Sequence, residues 1–401
     1  IVMSGEFIVV GTVSDDPLAS DVAASMGQEA DISDLMSIKS FANTEFCPRF
    51  LYDENDMTKI GHSLEGKTVV IVSSCSGEYT RNSRAMRTFL VARAARDNGA
   101  KRVVLVEPDL FYSAQDRGPR PEHGRVEFTR SVADYKKFDG QPFSAALYAE
   151  LLKTSGIDDV LTIHNHSTSV QELFTRQFKG NFFNISPARL YAEYLANHEF
   201  VLHPERHMGF VLCAPDRGAT HLVSEVYNYL TENARNMLLP MTPSMLMMDK
   251  ERCSERKVII KAHKDSPTRL EDIAGREVVV FDDMVRTGNT IVECCKSLKA
   301  AGALRVMFVV THFYSSPEVK ENLNDASVDD IITTNTLPSI LNRDMQGRLQ
   351  RKMLILKIER LIVNTLLRDV LRIGPPRFKR QYTIDISRKN PRWRHTLDLQ
   401  D

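Results

Sequence analysis

The chain has 401 residues, 42% hydrophobic and 26% charged, an ordinary globular composition that is too long for one typical domain. Its 52 Lys and Arg balance its 52 Asp and Glu, which excludes a broadly basic nucleic-acid binder. No apolar run approaches the roughly 20 residues that cross a bilayer, and no signal-peptide pattern opens the sequence, so no membrane association is expected.

The six cysteines (Cys47, Cys75, Cys213, Cys253, Cys294 and Cys295) form no C-x-x-C pair and no cluster with zinc-ligand spacing. Buried, reduced thiols in a cytoplasmic protein are expected. Along the chain, Phe41, Asn43 and Glu45 alternate, and on an extended strand they share one face. Residues 67–72 (KTVVIV) form a β-branched run that predicts a buried parallel strand. A helix is expected from about Asn82 to Asp97, with Met86, Leu90, Val91 and Ala94 on one face, closed by Asn98-Gly99. Residues 102–106 make the next strand, and the polar segment Gly118–Gly140 reads as a long loop or an insertion.

Short apolar runs at 160–163, 209–212 and 258–260 predict further strands. The first-half pattern then returns: strand 277–281, helix 290–301, Gly302, strand 305–310, with NGAKRVV echoed by AGALRVM, and a further strand at 331–334. Strand–helix–strand units of this length imply parallel sheets with right-handed crossovers. The fold class expected is α/β, as two similar domains, each a mostly parallel sheet flanked by helices. Their expected limits are 1–165 and 166–371, followed by a basic, proline-containing extension over 372–401. That extension is either packed on a neighbour or flexible.

The most chemical segment is residues 278–291, VVVFDDMVRTGNTI. A buried strand ends in Asp282 and Asp283, and Arg286-Thr287-Gly288-Asn289-Thr290 opens a helix. Ligands of parallel sheets bind at the carboxyl ends of strands. A helix N-terminus with small residues presents N–H groups suited to phosphate, and adjacent carboxylates accept hydrogen bonds from vicinal sugar hydroxyls. The plainer reading is a Thr N-cap with acids favouring the helix dipole. The whole arrangement closely resembles the phosphoribosyl-pyrophosphate-binding signature of the phosphoribosyltransferase fold.

The rest of the chain resembles one family with that signature, the ribose-phosphate pyrophosphokinases. Phe41-Ala42-Asn43-Thr44-Glu45 looks like the family's adenine-recognition segment, Ser73–Glu78 like a following loop, and Phe111–Arg117 like the segment holding the ATP phosphates. Residues 161–167 look like the strand end carrying a histidine near Mg-ATP, with His166 aligned. Leu190–Glu193, Ala214–Ala219 with Asp216, Thr311–Phe313 and Thr333–Pro338 continue the match in order.

The resemblance implies transfer of the diphosphoryl group of ATP to ribose 5-phosphate, giving phosphoribosyl pyrophosphate and AMP. It implies an ATP side made by Phe41, Asn43, Glu45, Gln115, Asp116 and Arg117, and a ribose-5-phosphate side made by Asp282, Asp283, Arg286, Thr287, Gly288, Asn289 and Thr290. Mg2+ is expected near His166 and Asp216, with Lys261 and Lys264 of a mobile flap as candidate catalytic cations beside His166. A homo-oligomer built from dimers, up to a hexamer, is implied as well. Three departures stand out: Ala114 where the family has Arg, Arg286 where it has an acid, and the length of Gly118–Gly140. They keep open a non-catalytic, regulatory homologue. A phosphoribosyltransferase, and a diphosphokinase acting on a different pentose phosphate, stay open beside it.

Overall fold

The computed structural model describes residues 6–13, 16–74, 79–126, 128–165, 167–198, 208–237, 242–252, 258–342, 346–386 and 396–397. The chain forms two compact units, residues 1–185 with 362–377, and residues 186–361 with 378–401.

In the first unit, β1 (Phe7–Gly11), β4 (Thr68–Val72), β5 (Arg102–Val106), β6 (Asp159–Ile163) and β7 (Phe182–Ile185) form an all-parallel sheet in that order. Val70 lies in register between Val9 and Val104, and all three are inaccessible to solvent. Burial on both faces explains why these strands read as continuous β-branched runs. The crossovers carry helices over Pro17–Met26, Arg81–Asp97, Ser144–Thr154 and Thr168–Gln177. A separate antiparallel hairpin, β2 (Met36–Ser40) and β3 (Phe46–Phe50), completes the unit with no strand partner beyond itself among the described residues.

The second unit repeats the plan. β8 (Phe210–Ala214), β11 (Glu277–Val285), β12 (Arg305–Phe313), β13 (Asp330–Thr334) and β14 (Met353–Lys357) are successive parallel neighbours. β9 (Ser244–Arg252) adds in parallel beside β8, and β10 (Val258–Ala262) pairs antiparallel with β9. At the opposite edge β15 (Thr383–Asp385) and β16 (Thr396–Leu397) pair antiparallel, so part of the extension is a sheet edge. Helices over Thr220–Met237, Asn289–Ala300 and Pro317–Leu323 flank this sheet. The expected α/β class, two similar domains with mostly parallel sheets and flanking helices, is the fold observed. Compactness divides the chain after Ile185 because β7 completes the first sheet by pairing with β6.

Three local expectations are corrected. The buried face of the helix Arg81–Asp97 is Arg84, Ala85, Arg87, Thr88, Val91, Ala92 and Ala95, while Met86 is 56% exposed. The helix is rotated from the apolar reading because Arg84 and Arg87 find acceptors inward, at Thr12. The Gly118–Gly140 segment is mostly turns and coil, as a long loop or insertion would be, with one short helix. Within it Ser131 caps the short helix Val132–Lys137, and Arg130 donates to Asp134 Oδ2 (2.6 Å) and the Gly118 carbonyl (2.8 Å). Cys47 is exposed on β3, whereas Cys213, Cys294 and Cys295 are buried thiols as expected. Finally, β11 does not stop at the two acids. It runs to Val285 because β12 is equally long and pairs Asp282 with Val310 and Val285 with Phe313.

Candidate active site

The second unit's site is built where β8 ends and β11 continues. The β8–β11 register stops at Cys213 and Val280, so Asp282 and Asp283 project beyond the last shared pair. Asp282 Oδ1 accepts from the Asp283 amide (2.9 Å), and Asp283 Oδ1 accepts from the Met284 amide (2.8 Å). After β8, Asp216 caps a short turn, accepting from Gly218 N at 2.9 Å and Ala219 N at 3.4 Å. Burial, and then the negative charges of Asp283 and Asp216, hold the Asp282 carboxyl well above the usual carboxylate range. Three carboxylates thus approach one another around the ends of β8 and β11, and among the described residues no group of three or more His, Cys, Asp or Glu is placed to hold a metal ion by itself.

The loop after β11 delivers the helix Asn289–Ala300. Gly288 is its N-cap at φ +85°, a left-handed conformation that disfavours a side chain, and no side chain caps this end. The helix start therefore carries its partial positive charge toward the loop. Asn322 Nδ2 donates to the Thr287 carbonyl at 2.7 Å and fixes the loop from outside. Arg286 and Thr287 are exposed. The Arg286 guanidinium lies against Met284 Sδ (Nη2 at 3.0 Å), folded back along its own strand.

Behind the acids, Thr336 and Thr334 donate to the Thr311 carbonyl at 2.9 and 2.7 Å. His312 Nδ1 meets Thr336 Oγ1 at 3.0 Å, and the Tyr191 hydroxyl meets Thr311 Oγ1 at 2.9 Å. The motifs at 190–193, 311–313 and 333–338 thus form a buried polar scaffold.

Lys261 lies on β10 opposite Asp249 of β9, and Lys264 follows in a turn; both are exposed. The hairpin also brings together groups that the sequence did not single out. Arg217 lies 3.4 Å from Asp249, and His263 Nε2 lies 3.5 Å from Asp249. Arg217, Thr220, Met247, Met248 and His263 line a cavity of 320 Å³ next to Asp216. Only the β9–β10 register aligns Asp249 with Lys261 and the turn that follows, so no spacing rule reveals the cluster.

In the first unit, Phe41, Asn43 and Glu45 do not share the face of a strand. They occupy the turn of the β2–β3 hairpin, where Phe41 N donates to Glu45 O (2.8 Å) and Thr44 N to Phe41 O (2.9 Å). Thr44 takes φ +71°, and Asn43 Oδ1 accepts from the Glu45 amide at 3.2 Å. Such side-chain-to-backbone bonding is what Asn offers a turn in place of a strand ladder. All three side chains are exposed, with Lys39 Nζ 5.1 Å from the Phe41 ring centroid.

The Phe111–Arg117 segment follows β5. Its Asp116 is tied down: Oδ2 accepts from Ser167 Oγ, and its carbonyl from Ser169 Oγ, both at 2.7 Å. Arg117 lies 3.5 Å from both Asp116 and Asp134, whereas Gln115 is exposed. Gly124 of the inserted piece has φ +97°, and a Cβ there would meet the Asp116 carbonyl at 2.3 Å, so the insertion packs directly on this segment. His166 and the loop residues Cys75–Glu78 lie outside the described residues.

Comparison with known proteins agrees with this plan. Residues 7–156 match the family model described as the N-terminal domain of ribose phosphate pyrophosphokinase, and residues 236–372 match the phosphoribosyl synthetase-associated domain. Ribose-phosphate pyrophosphokinase 2 of Saccharomyces cerevisiae is 26% identical over 286 residues, covering 71% of this chain and 76% of the yeast protein. The ribose-phosphate pyrophosphokinase of Corynebacterium efficiens is 26% identical over 303 residues, covering 76% of this chain and 77% of its own. The crystal structure of phosphoribosylpyrophosphate synthetase from Mycobacterium smegmatis superposes with a TM-score of 0.67 at 22% identity, covering 92% of this chain and all of that one. Two family models in the order of the two folded units, and relatives of one name along most of the chain, make this chain similar to the ribose-phosphate pyrophosphokinases over both units.

Proposed function

We propose that the protein transfers the diphosphoryl group of ATP to the anomeric hydroxyl of ribose 5-phosphate, releasing AMP and forming phosphoribosyl pyrophosphate. The observation that carries this reading is Asp282 and Asp283 set beside an uncapped helix N-terminus at Gly288, in a chain similar to this family. The acids accept the sugar's vicinal hydroxyls, and Thr287, Gly288, Asn289 and Thr290 receive its 5-phosphate on backbone N–H groups and hydroxyls. Arg286 swings from Met284 to add charge at the phosphate. Phe41 stacks on adenine, Asn43 and Glu45 read its edge, and Gln115, Asp116 and Arg117 flank the polyphosphate. The family resemblance assigns Mg2+ to Asp216 and His166; an ion held there would neutralise phosphate oxygens, with Asp282 and Asp283 left to the sugar. Lys261 and Lys264 supply cations to the transferring group, and Arg217 and His263 lie near Asp249, the register partner of Lys261. The demand on these residues is positioning and charge stabilisation.

A second reading, a non-catalytic partner of an active synthetase, draws on Ala114 and Arg286. One measurement separates them: AMP released from ATP and Mg2+ with and without ribose 5-phosphate, with mass detection of the sugar product. Sugar-dependent AMP with a diphosphorylated ribose supports catalysis. Folded protein that binds ATP and releases none turns the reading to the partner.

A further inference from the structure

We infer that Arg87 is a positioning residue for base recognition, a buried cation that grips both arms of the β2–β3 hairpin at the neck of the Phe41–Glu45 turn. The inference rests on the reading of that turn as the adenine contact. Arg87 sits in the second turn of the helix Arg81–Asp97 and is 6% exposed. Its Nη2 donates to Ser40 Oγ at 3.4 Å, and its Nη1 to the Thr12 carbonyl at 3.3 Å. Its guanidinium carbon lies 4.2 Å from the ring centroid of Phe46 and 4.1 Å from that of Tyr79. Ser40 and Phe46 are the last register pair of the hairpin, and the five residues of the chain between them are the turn itself.

The hairpin needs such an anchor. Its two strands pair only with each other among the described residues, and an isolated two-stranded hairpin is marginal in water. Its turn is internally hydrogen-bonded, but Phe41, Asn43 and Glu45 are exposed to solvent. What fixes the turn against the sheet is therefore decided at its neck, where Arg87 contacts one residue on each arm. The Thr12 end of the contact is rigid. Thr12 Oγ1 also accepts from Arg84, and Arg84 lies 3.7 Å from Asp16, the N-cap of the helix Pro17–Met26. Among the described residues no carboxylate pairs with Arg87, so its charge is compensated by two aromatic faces and two oxygen acceptors. A planar guanidinium serves those directions at once, and a lysine ammonium does not.

The test compares full-length wild type, Arg87→Met, Arg87→Lys and Phe41→Ala. ATP, GTP and ribose 5-phosphate binding are measured by calorimetry, and amide exchange is followed over residues 36–50. Arg87→Met is expected to weaken ATP about tenfold and to narrow ATP-over-GTP discrimination, while ribose 5-phosphate affinity stays within about twofold. Exchange is expected to quicken in residues 36–50 and not in β4 or β5, with Arg87→Lys between the two. If Arg87→Met loses its overall fold, Ser40→Val removes the exposed acceptor at the neck and is expected to weaken ATP about threefold with the same localised exchange. Unchanged ATP affinity in a folded Arg87→Met, or equal losses for ATP and ribose 5-phosphate, overturns the inference. A Phe41→Ala loss without an Arg87→Met loss overturns it while leaving the adenine reading intact. A wild-type protein that binds no ATP overturns the adenine reading and this inference with it.

Discussion

Asp282 carries a conflict between stability and use. Its carboxyl sits half-buried beside two other acids, and desolvation and their charge together penalise its ionised form. Asp282→Asn keeps the shape and removes the cost of ionising this carboxyl beside Asp283 and Asp216. Turnover, read as sugar-dependent AMP release, is expected to fall about a hundredfold or more, and the melting temperature is expected to hold or rise. Normal turnover in the folded variant would remove Asp282 from the site. Arg286→Asp probes the neighbouring charge: ribose 5-phosphate binding is expected to weaken severalfold, whereas an unchanged affinity would keep Arg286 on Met284 and away from the phosphate. At this scale the sequence located the strand-end acids and the Gly288 turn before the helix, because those residues are contiguous and their backbone requirements are local. It was silent on Asp249 with Arg217 and His263, which meet only through the β9–β10 pairing, and on Arg87, whose charge argued for solvent.

Elements were legible where one period dominates. The strands flanked by helices were readable because both faces are buried and the residues are β-branched. The helix Arg81–Asp97 was not, since two arginines occupy positions that a hydrophobic count gives to solvent. The turn at Phe41 was not, since alternation of polar and aromatic residues cannot tell a strand from the hairpin bend that joins two. The start of the helix Asn289–Ala300 depends on a single backbone conformation. Gly288→Ala forces a side chain into φ +85°, which is expected to cost about 1–2 kcal/mol and to displace the helix start, weakening ribose 5-phosphate more than ATP. Equal effects on both ligands would detach the loop from the sugar phosphate.

At the end of β5, Glu107 accepts from the Phe111 amide at 2.9 Å and the Tyr148 hydroxyl at 2.8 Å, and burial pushes its carboxyl up to about 8. The folded state therefore keeps a proton that the unfolded chain loses near 4.5, so Glu107's contribution is full below that pH and is lost as pH rises to about 8. Glu107→Gln, which mimics the protonated acid, is expected to flatten the fall in melting temperature from about pH 5 to about pH 8.5. Parallel curves for variant and wild type would show that Glu107 already ionises in the folded protein.

The whole molecule is one plan used twice: five parallel strands in the first unit answer six in the second, and ligands of such sheets bind at the loops after the strands. The copies have diverged in what those loops hold. In the second unit the end of β11 carries two acids, and the loop after it leads to a helix start with Gly288 as N-cap. In the first, the helix after β4 is capped by Thr80, its Arg84 and Arg87 turn inward, and the exposed Phe41, Asn43 and Glu45 sit on a hairpin outside the sheet. Such a division of labour predicts two ligand footprints that can be read separately by amide exchange on the full chain. ATP alone is expected to slow exchange over residues 36–50 and 111–117, and ribose 5-phosphate alone over residues 282–292. Each ligand protecting only its own unit would mean that the duplicated fold was split into a nucleotide half and a sugar half. Ribose 5-phosphate protecting 36–50 as strongly as 282–292 would mean instead that the hairpin serves the sugar, and the base contact would have to be sought elsewhere on the chain.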